Sequence, residues 1–133
     1  MKDHIDKLAW ILIKDRSILR VRSKNKDVFY NPGGKRDEDE SDQEALIREI
    51  KEELDVDLIE DTIKYINTFE AQAHGKPEGT VVRVTCYSAD YVGELKPSSE
   101  IEELAWFKYA DKHKLSPVDE SLFDWLKEND LID

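Results

Sequence analysis

Only one cysteine, Cys86, occurs in the 133 residues, so no internal disulfide can form and the fold must be held without one. That usage fits a reducing cytosol, and a cytoplasmic location is the expectation. Glycine and proline are sparse, at 5 and 4, and no linker, repeat or low-complexity tract is present. No apolar run approaches the roughly 20 residues that cross a bilayer. The start, Met1 to Lys7, lacks the apolar core of a signal peptide, so neither a membrane anchor nor a leader is expected. Basic residues are outnumbered, 20 Lys and Arg against 31 Asp and Glu, for a formal charge of -11. Such a surface repels polymeric nucleic acid and anionic membranes at long range, so neither is expected as a partner. A small anionic substrate remains compatible, because a bound divalent cation reverses the sign of the field within one site.

What is there suits a single domain over residues 1–133: a 39% hydrophobic fraction is enough to bury a core. Leu8 to Ile13 is a continuous apolar run and predicts a strand buried on both faces. Ile18 to Arg22 alternates, with Leu19 and Val21 on one face and Arg20 and Arg22 on the other. Val28 to Tyr30 predicts a short strand stopped by Asn31-Pro32-Gly33-Gly34, the strongest turn signal in the chain. Further strands are expected at Ile63–Ala71, Thr80–Tyr91 and Glu103–Tyr109, with His74 to Gly79 as a hairpin loop. Helical period appears at Asp42–Leu54, behind a Ser41 and Glu44 capping box, and at Asp119–Asn129. The element order predicts a mixed α+β or α/β sandwich.

The chemistry concentrates between Asp37 and Asp61, where 13 carboxylates meet only two basic residues, Arg48 and Lys51. A solvated helix face is the plain explanation for such a run. Spacing argues otherwise. With Leu46 at zero on the helical wheel, Glu53, Glu49 and Glu52 fall at about -20°, -60° and -120°, one stripe beside the apolar face. Like charges so placed cost a helix a few tenths of a kcal/mol per pair, and a purely structural helix would intersperse lysines. Hard divalent cations are bound by such clusters of oxygen ligands. A calcium loop does not fit: from Asp37, its sixth position would be Asp42 where Gly is needed and its twelfth Arg48 where Glu is needed.

Gly34, five residues, Glu40, seven residues, Arg48-Glu49-Ile50, Lys51, Glu52-Glu53, Leu54, Asp55, Val56 resembles the 23-residue signature of the Nudix hydrolases, MutT-like nucleotide pyrophosphohydrolases among them. Every fixed position over 34–56 agrees except Asp55, which stands where the family has Gly. The resemblance implies an α/β/α sandwich with a central mixed β-sheet, and cleavage of a pyrophosphate bond in a nucleoside diphosphate linked to another group, with Mg²⁺ or Mn²⁺. It implies that Glu49, Glu52, Glu53 and the Gly34 carbonyl hold the metal, with Glu49 or Glu53 acting on the attacking water. Glu40 and Arg48 become supporting residues. An additional acid is expected from the far loop, Glu103 ahead of Glu100 and Glu102. Arg20 and Arg22 are candidates for the outer phosphates. Asp55 tolerates the left-handed cap that glycine normally supplies, so the departure touches helix termination rather than the carboxylates.

The partner expected is a small nucleotide, a nucleoside triphosphate or a related nucleotide, and self-association, where it occurs, is expected to give a homodimer. Marks of the ADP-ribose and dinucleoside polyphosphate enzymes are missing: the corresponding positions hold Glu70-Ala71-Gln72 and His74. Phe29, Tyr30 and Trp106 are read first as core aromatics and second as stacking platforms. Asn31 either bonds a base or shapes the turn. The rival reading is a catalytically silent nucleotide-binding module on the same fold, against which stand the three glutamates that binding alone does not need.

Overall fold

Alternation along the strands sorts the apolar side chains into two cores, one on each side of the β layer. The computed structural model describes residues 4–72 and 78–133. Along it run β1 (His4–Trp10), β2 (Ile13–Lys14), β3 (Ser17–Ser23), β4 (Phe29–Tyr30), β5 (Gly33–Gly34), α1 (Asp42–Leu54), β6 (Asp57–Leu58), β7 (Lys64–Gln72), β8 (Val81–Ser88), β9 (Tyr91–Val92), β10 (Ile101–Phe107) and α2 (Pro117–Glu128). One sheet has the order β5-β1-β8-β7, with β1 and β8 parallel and the other pairs antiparallel. A second, antiparallel sheet has the order β10-β3-β2, with β4 also on β3, and β6 pairs with β9.

Leu8, Trp10, Leu19 and Val21 point to one side and pack with Ala45, Leu46, Ile50 and Leu54 of α1. Their sequence neighbours Ala9, Ile11 and Ile18 point to the other, joined by Val84, Cys86 and Phe107, and meet Val118, Leu122, Phe123 and Leu126 of α2. Helix, mixed β layer and helix form the expected α/β/α sandwich.

The first helix spans the predicted residues because its ends are specified locally. The Ser41 hydroxyl accepts from the Glu44 N–H at 3.1 Å and the Glu44 carboxylate accepts from the Ser41 N–H at 2.9 Å, a complete capping box. Asp55 closes the other end in the left-handed region, at φ 56° and ψ 35°, its N–H donating to the Lys51 carbonyl. Leu46, Ile50 and Leu54 are fully buried, each burial contributing about 2 kcal/mol. That outweighs the few tenths lost to each like-charge pair on the neighbouring stripe, so packing holds the glutamates together despite their repulsion.

Three expectations shift. The strand predicted from Leu8 to Ile13 begins at His4 and ends at Trp10, with the chain re-forming a short strand at Ile13. The glycine pair, expected as a turn, is a strand whose register sets Leu8 opposite Gly34 and Ala9 opposite Gly33. The last helix starts two residues early because Pro117 suits its first turn. The His74 loop lies outside the described residues.

Candidate active site

The carboxylate stripe of α1 faces the glycine strand β5. The Gly33 N–H donates to Glu53 Oε1 at 2.9 Å, and a β-carbon at Gly34 would lie 2.7 Å from the Glu49 carboxyl. Only glycine leaves Glu49 that space. At Gly33, where φ is +139°, a β-carbon would overlap the Leu8 carbonyl across the β1 pairing.

Arg48 organises the other side of the stripe. Its Nε and Nη2 clamp both oxygens of Glu40 at 2.8 Å, Nη1 donates to Glu49 at 2.9 Å, and Nη2 reaches the Lys35 carbonyl at 3.2 Å. The clamp is bidentate and charge-assisted, the strong form of the contact. With a backbone bond from Asp37 N–H as well, it holds the Glu40 carboxyl down to about 2. Glu40 and Arg48 thus fasten the loop after β5 to the helix.

The remaining glutamates are held less comfortably. Burial pushes the Glu53 carboxyl up to about 8. The Gly33 bond opposes this, while the charges of Glu49, Glu52 and Glu100 add to it. Burial likewise raises Glu49, outweighing the pull of Arg48. Glu52 is 54% exposed and lies 3.5 Å from Arg48. Among the described residues no three His, Cys, Asp or Glu side chains already form a metal cage. The donor set nevertheless fits a hard divalent cation: two half-buried carboxylates disfavour their own charge, a third borders them, and glycine backbone without side chains lies alongside.

A cleft of ≈ 880 Å³ opens from this point, lined by Gly33, Gly34 and Glu53 on one side and by Phe29, Asn31, Val118 and Asp119 on the other. Asn31 donates to Asp119 at 3.2 Å. Tyr30 also lines the cleft, whereas Trp106 is 41% exposed on β10 and is not among the cleft residues.

Two expectations are corrected. Arg20 is not on an exposed basic face: it is fully buried, and its guanidinium donates to Asp119 at 2.8 Å, to the Phe29 carbonyl at 3.0 Å and to Asn31. The residues of β3 do alternate, but α2 covers the second face of the strand, so a residue facing away from α1 is still inside. Arg22 is engaged by Glu103 at 2.7 Å and by the Lys26 carbonyl at 2.8 Å. Glu103 is accordingly taken up by Arg22, and the far-loop acid whose charge bears on Glu53 is Glu100. The loop is docked there by backbone bonds from Ser98 to the Glu53 carbonyl and from Lys96 to the Leu54 carbonyl.

The Arg20, Asn31 and Asp119 cluster was not legible as a unit. Asn31 and Arg20 are 88 and 99 residues from Asp119 along the chain, and the strand that carries Arg20 alternates apolar and basic residues as an exposed one would.

Comparison with known proteins agrees with this architecture. The model of the NUDIX domain matches residues 5–126. A Nudix hydrolase of Bacillus subtilis (strain 168), YvcI, itself uncharacterised, is 25% identical over 118 residues, covering 87% of this chain and 75% of its own. Among solved structures, the E. coli ORF135 protein superposes with a TM-score of 0.72 at 26% identity, over 95% of this chain and 92% of that one. The MutT protein of Methanosarcina mazei Go1 gives 0.74 over 97% and 96%, and at 19% identity it speaks for the fold alone. Nudix hydrolases generally act on small nucleotides with divalent metal ions. With the domain model spanning nearly the whole sequence, the chain belongs to the Nudix family and is a hydrolase of phosphoanhydride bonds.

Proposed function

We propose that this chain is a pyrophosphohydrolase of nucleoside triphosphates or closely related nucleotides, acting in the cytosol with Mg²⁺ or Mn²⁺. Glu49, Glu52, Glu53 and the Gly34 carbonyl are the groups that would hold the cation. Such a cation, when bound, supplies neutralisation of phosphate oxygens and a lowered pKa for water. Glu53 has one oxygen fixed by the Gly33 N–H. Its second oxygen is the site for the proton of the attacking water, with Glu49 its alternative. Arg48 and Glu40 keep Glu49 from swinging away. Glu100 replaces Glu103 as the additional acid.

What supports this reading is the adjacency of two half-buried carboxylates with raised proton affinity to a side-chain-free glycine strand, where Glu53 and both glycines line a nucleotide-sized cleft and Glu49 stands against Gly34. The opposite wall, with Phe29 and Asn31, offers one ring face and one amide to a base.

The test follows the nucleotide products, separated by chromatography, formed from nucleoside di- and triphosphates, nucleotide sugars, ADP-ribose and dinucleoside polyphosphates, with Mg²⁺, with Mn²⁺ and with chelator. The expected result is fastest turnover on a nucleoside triphosphate and none in chelator. Full turnover in excess chelator, or a clear preference for ADP-ribose, overturns it.

A further inference from the structure

Arg20 is fully buried, and its Nε is the one buried side-chain nitrogen or oxygen without a hydrogen-bond partner among the described residues. A buried ion pair is often no more stable than apolar residues of the same volume, and an unpaired N–H adds a further penalty. Stability alone therefore does not account for an arginine between the Phe107 and Phe123 rings, which lie 5.7 and 5.5 Å from its guanidinium carbon.

What the guanidinium accomplishes is orientation. It carries only donors, so the Asn31 side chain must turn its oxygen toward Arg20 and its NH₂ toward Asp119, 3.2 Å away. A free asparagine amide could flip; this one cannot. Asp119 receives Arg20 on one oxygen and Asn31 on the other, and its side chain is only 11% exposed. Both residues line the cleft that holds Glu53, while Arg20 stands behind them. The second amide N–H of Asn31 and the remaining lone pairs of Asp119 are left for a ligand.

We propose that Arg20 is a positioning residue for the ring end of the substrate. It locks Asn31 and Asp119 so that the cleft presents an N–H donor beside a carboxylate acceptor, matching a ring edge with an acceptor beside an N–H. This deepens the proposed function and rests on it for the identity of the ligand as a nucleotide.

The experiment uses Arg20→Lys, which keeps the charge but cannot span Asn31, Asp119 and the Phe29 carbonyl together, and Arg20→Gln, which keeps an N–H donor for Asp119 without the guanidinium fork, should the lysine fail to fold. Melting curves establish folding. Steady-state kinetics are measured on ATP, GTP, CTP, UTP and base-free ribose 5-triphosphate, and binding of AMP, GMP, CMP and UMP by calorimetry in chelator. The parent is expected to separate its best and worst base by about tenfold or more in kcat/KM, the size of effect of a hydrogen bond to a charged group. Each folded variant is expected to lose that separation through a rise in KM for the preferred nucleotide, with little change in KM for ribose 5-triphosphate. A folded variant that keeps the parental base ratio overturns the inference, as does an equal rise in KM for the base-free compound, or a parent indifferent to the base. Should the parent cleave no triphosphate, the proposed reaction fails and the monophosphate titrations decide the role of Arg20. Base-dependent affinity lost in the variants supports it; affinity absent or independent of the base in the parent overturns it.

Discussion

Arg48 and Arg20 both hold carboxylates through charge-assisted bonds, but in opposite settings. Arg48 is partly exposed and is shared among Asp37, Glu40, Glu49 and Glu52. Arg20 is buried and has a single acid, Asp119. One cation cannot neutralise four carboxylates, so the α1 stripe keeps a surplus of negative charge, which adds to burial, the larger cause, in raising Glu49 and Glu53. The interior cluster is balanced one to one. The first region is built to accept a further positive charge, and the second to stay as it is.

The largest effect that would break this contrast is at Glu53. Glu53→Gln keeps the shape and the Gly33 bond but removes the charge. Turnover on the best nucleotide should fall by about a hundredfold or more, while the metal-free variant melts no lower than the parent. Glu44→Gln preserves the capping box and should barely change the rate. Near-parental turnover in Glu53→Gln would return the stripe to a solvated face.

The glycine strand divides the two effects next. Gly34→Ala meets only the movable tip of Glu49, so its stability should change by less than about 1 kcal/mol, with turnover falling about tenfold or more as the carboxylate is displaced. Gly33→Ala meets the Leu8 backbone at positive φ and should lose about 3 kcal/mol. Chemical denaturation and turnover on the same pair of variants separate the two.

A smaller effect is the pH dependence of the chelated protein. The ordinary value for Glu53 is 4.5 and its folded value about 8, so the folded state binds the proton more tightly. The stability this contributes is fully present below about 4.5 and is lost as pH rises through 8. Melting free energy in chelator should therefore decline across that window by on the order of a few kcal/mol, and Glu53→Gln should flatten the curve. A parent curve that rises over the same range contradicts the assignment.

The smallest concerns the second core. Burial, with the charge of Asp119 behind it, pushes the Cys86 thiol up to about 12. A thiol reagent at pH 8 should label Cys86 no faster than the chain unfolds, and rapid labelling of the native protein would mean the α2 side is open to water.

Much of the α1 region was legible because its signals are local. Ser41, Glu44 and the 3.6-residue spacing of Leu46, Ile50 and Leu54 fix the helix, and the same period aligns Glu49, Glu52 and Glu53. The strand bounds were less so: a run such as Leu8 to Ile13 is apolar whether its residues serve one strand or two. Arg20 escapes the local pattern for a different reason. Alternation tells which residues share a face, but whether that face meets solvent depended on α2, which closes over β3 from the far end of the chain. Glu103 stands beside its strand in the sequence, while its capture by Arg22 is a cross-strand event on β3 and β10 that no local spacing reveals.

Asp55, where the family signature has glycine, does more than terminate a helix. Its carboxylate lies 3.4 Å from Lys51 and 3.2 Å from Lys96, and Lys96 belongs to the loop that leads to Glu100. A glycine cap would be indifferent to ionic strength. Here the cap doubles as an electrolyte-sensitive fastening, so added salt should loosen the hold on the loop that brings the extra acid to the stripe.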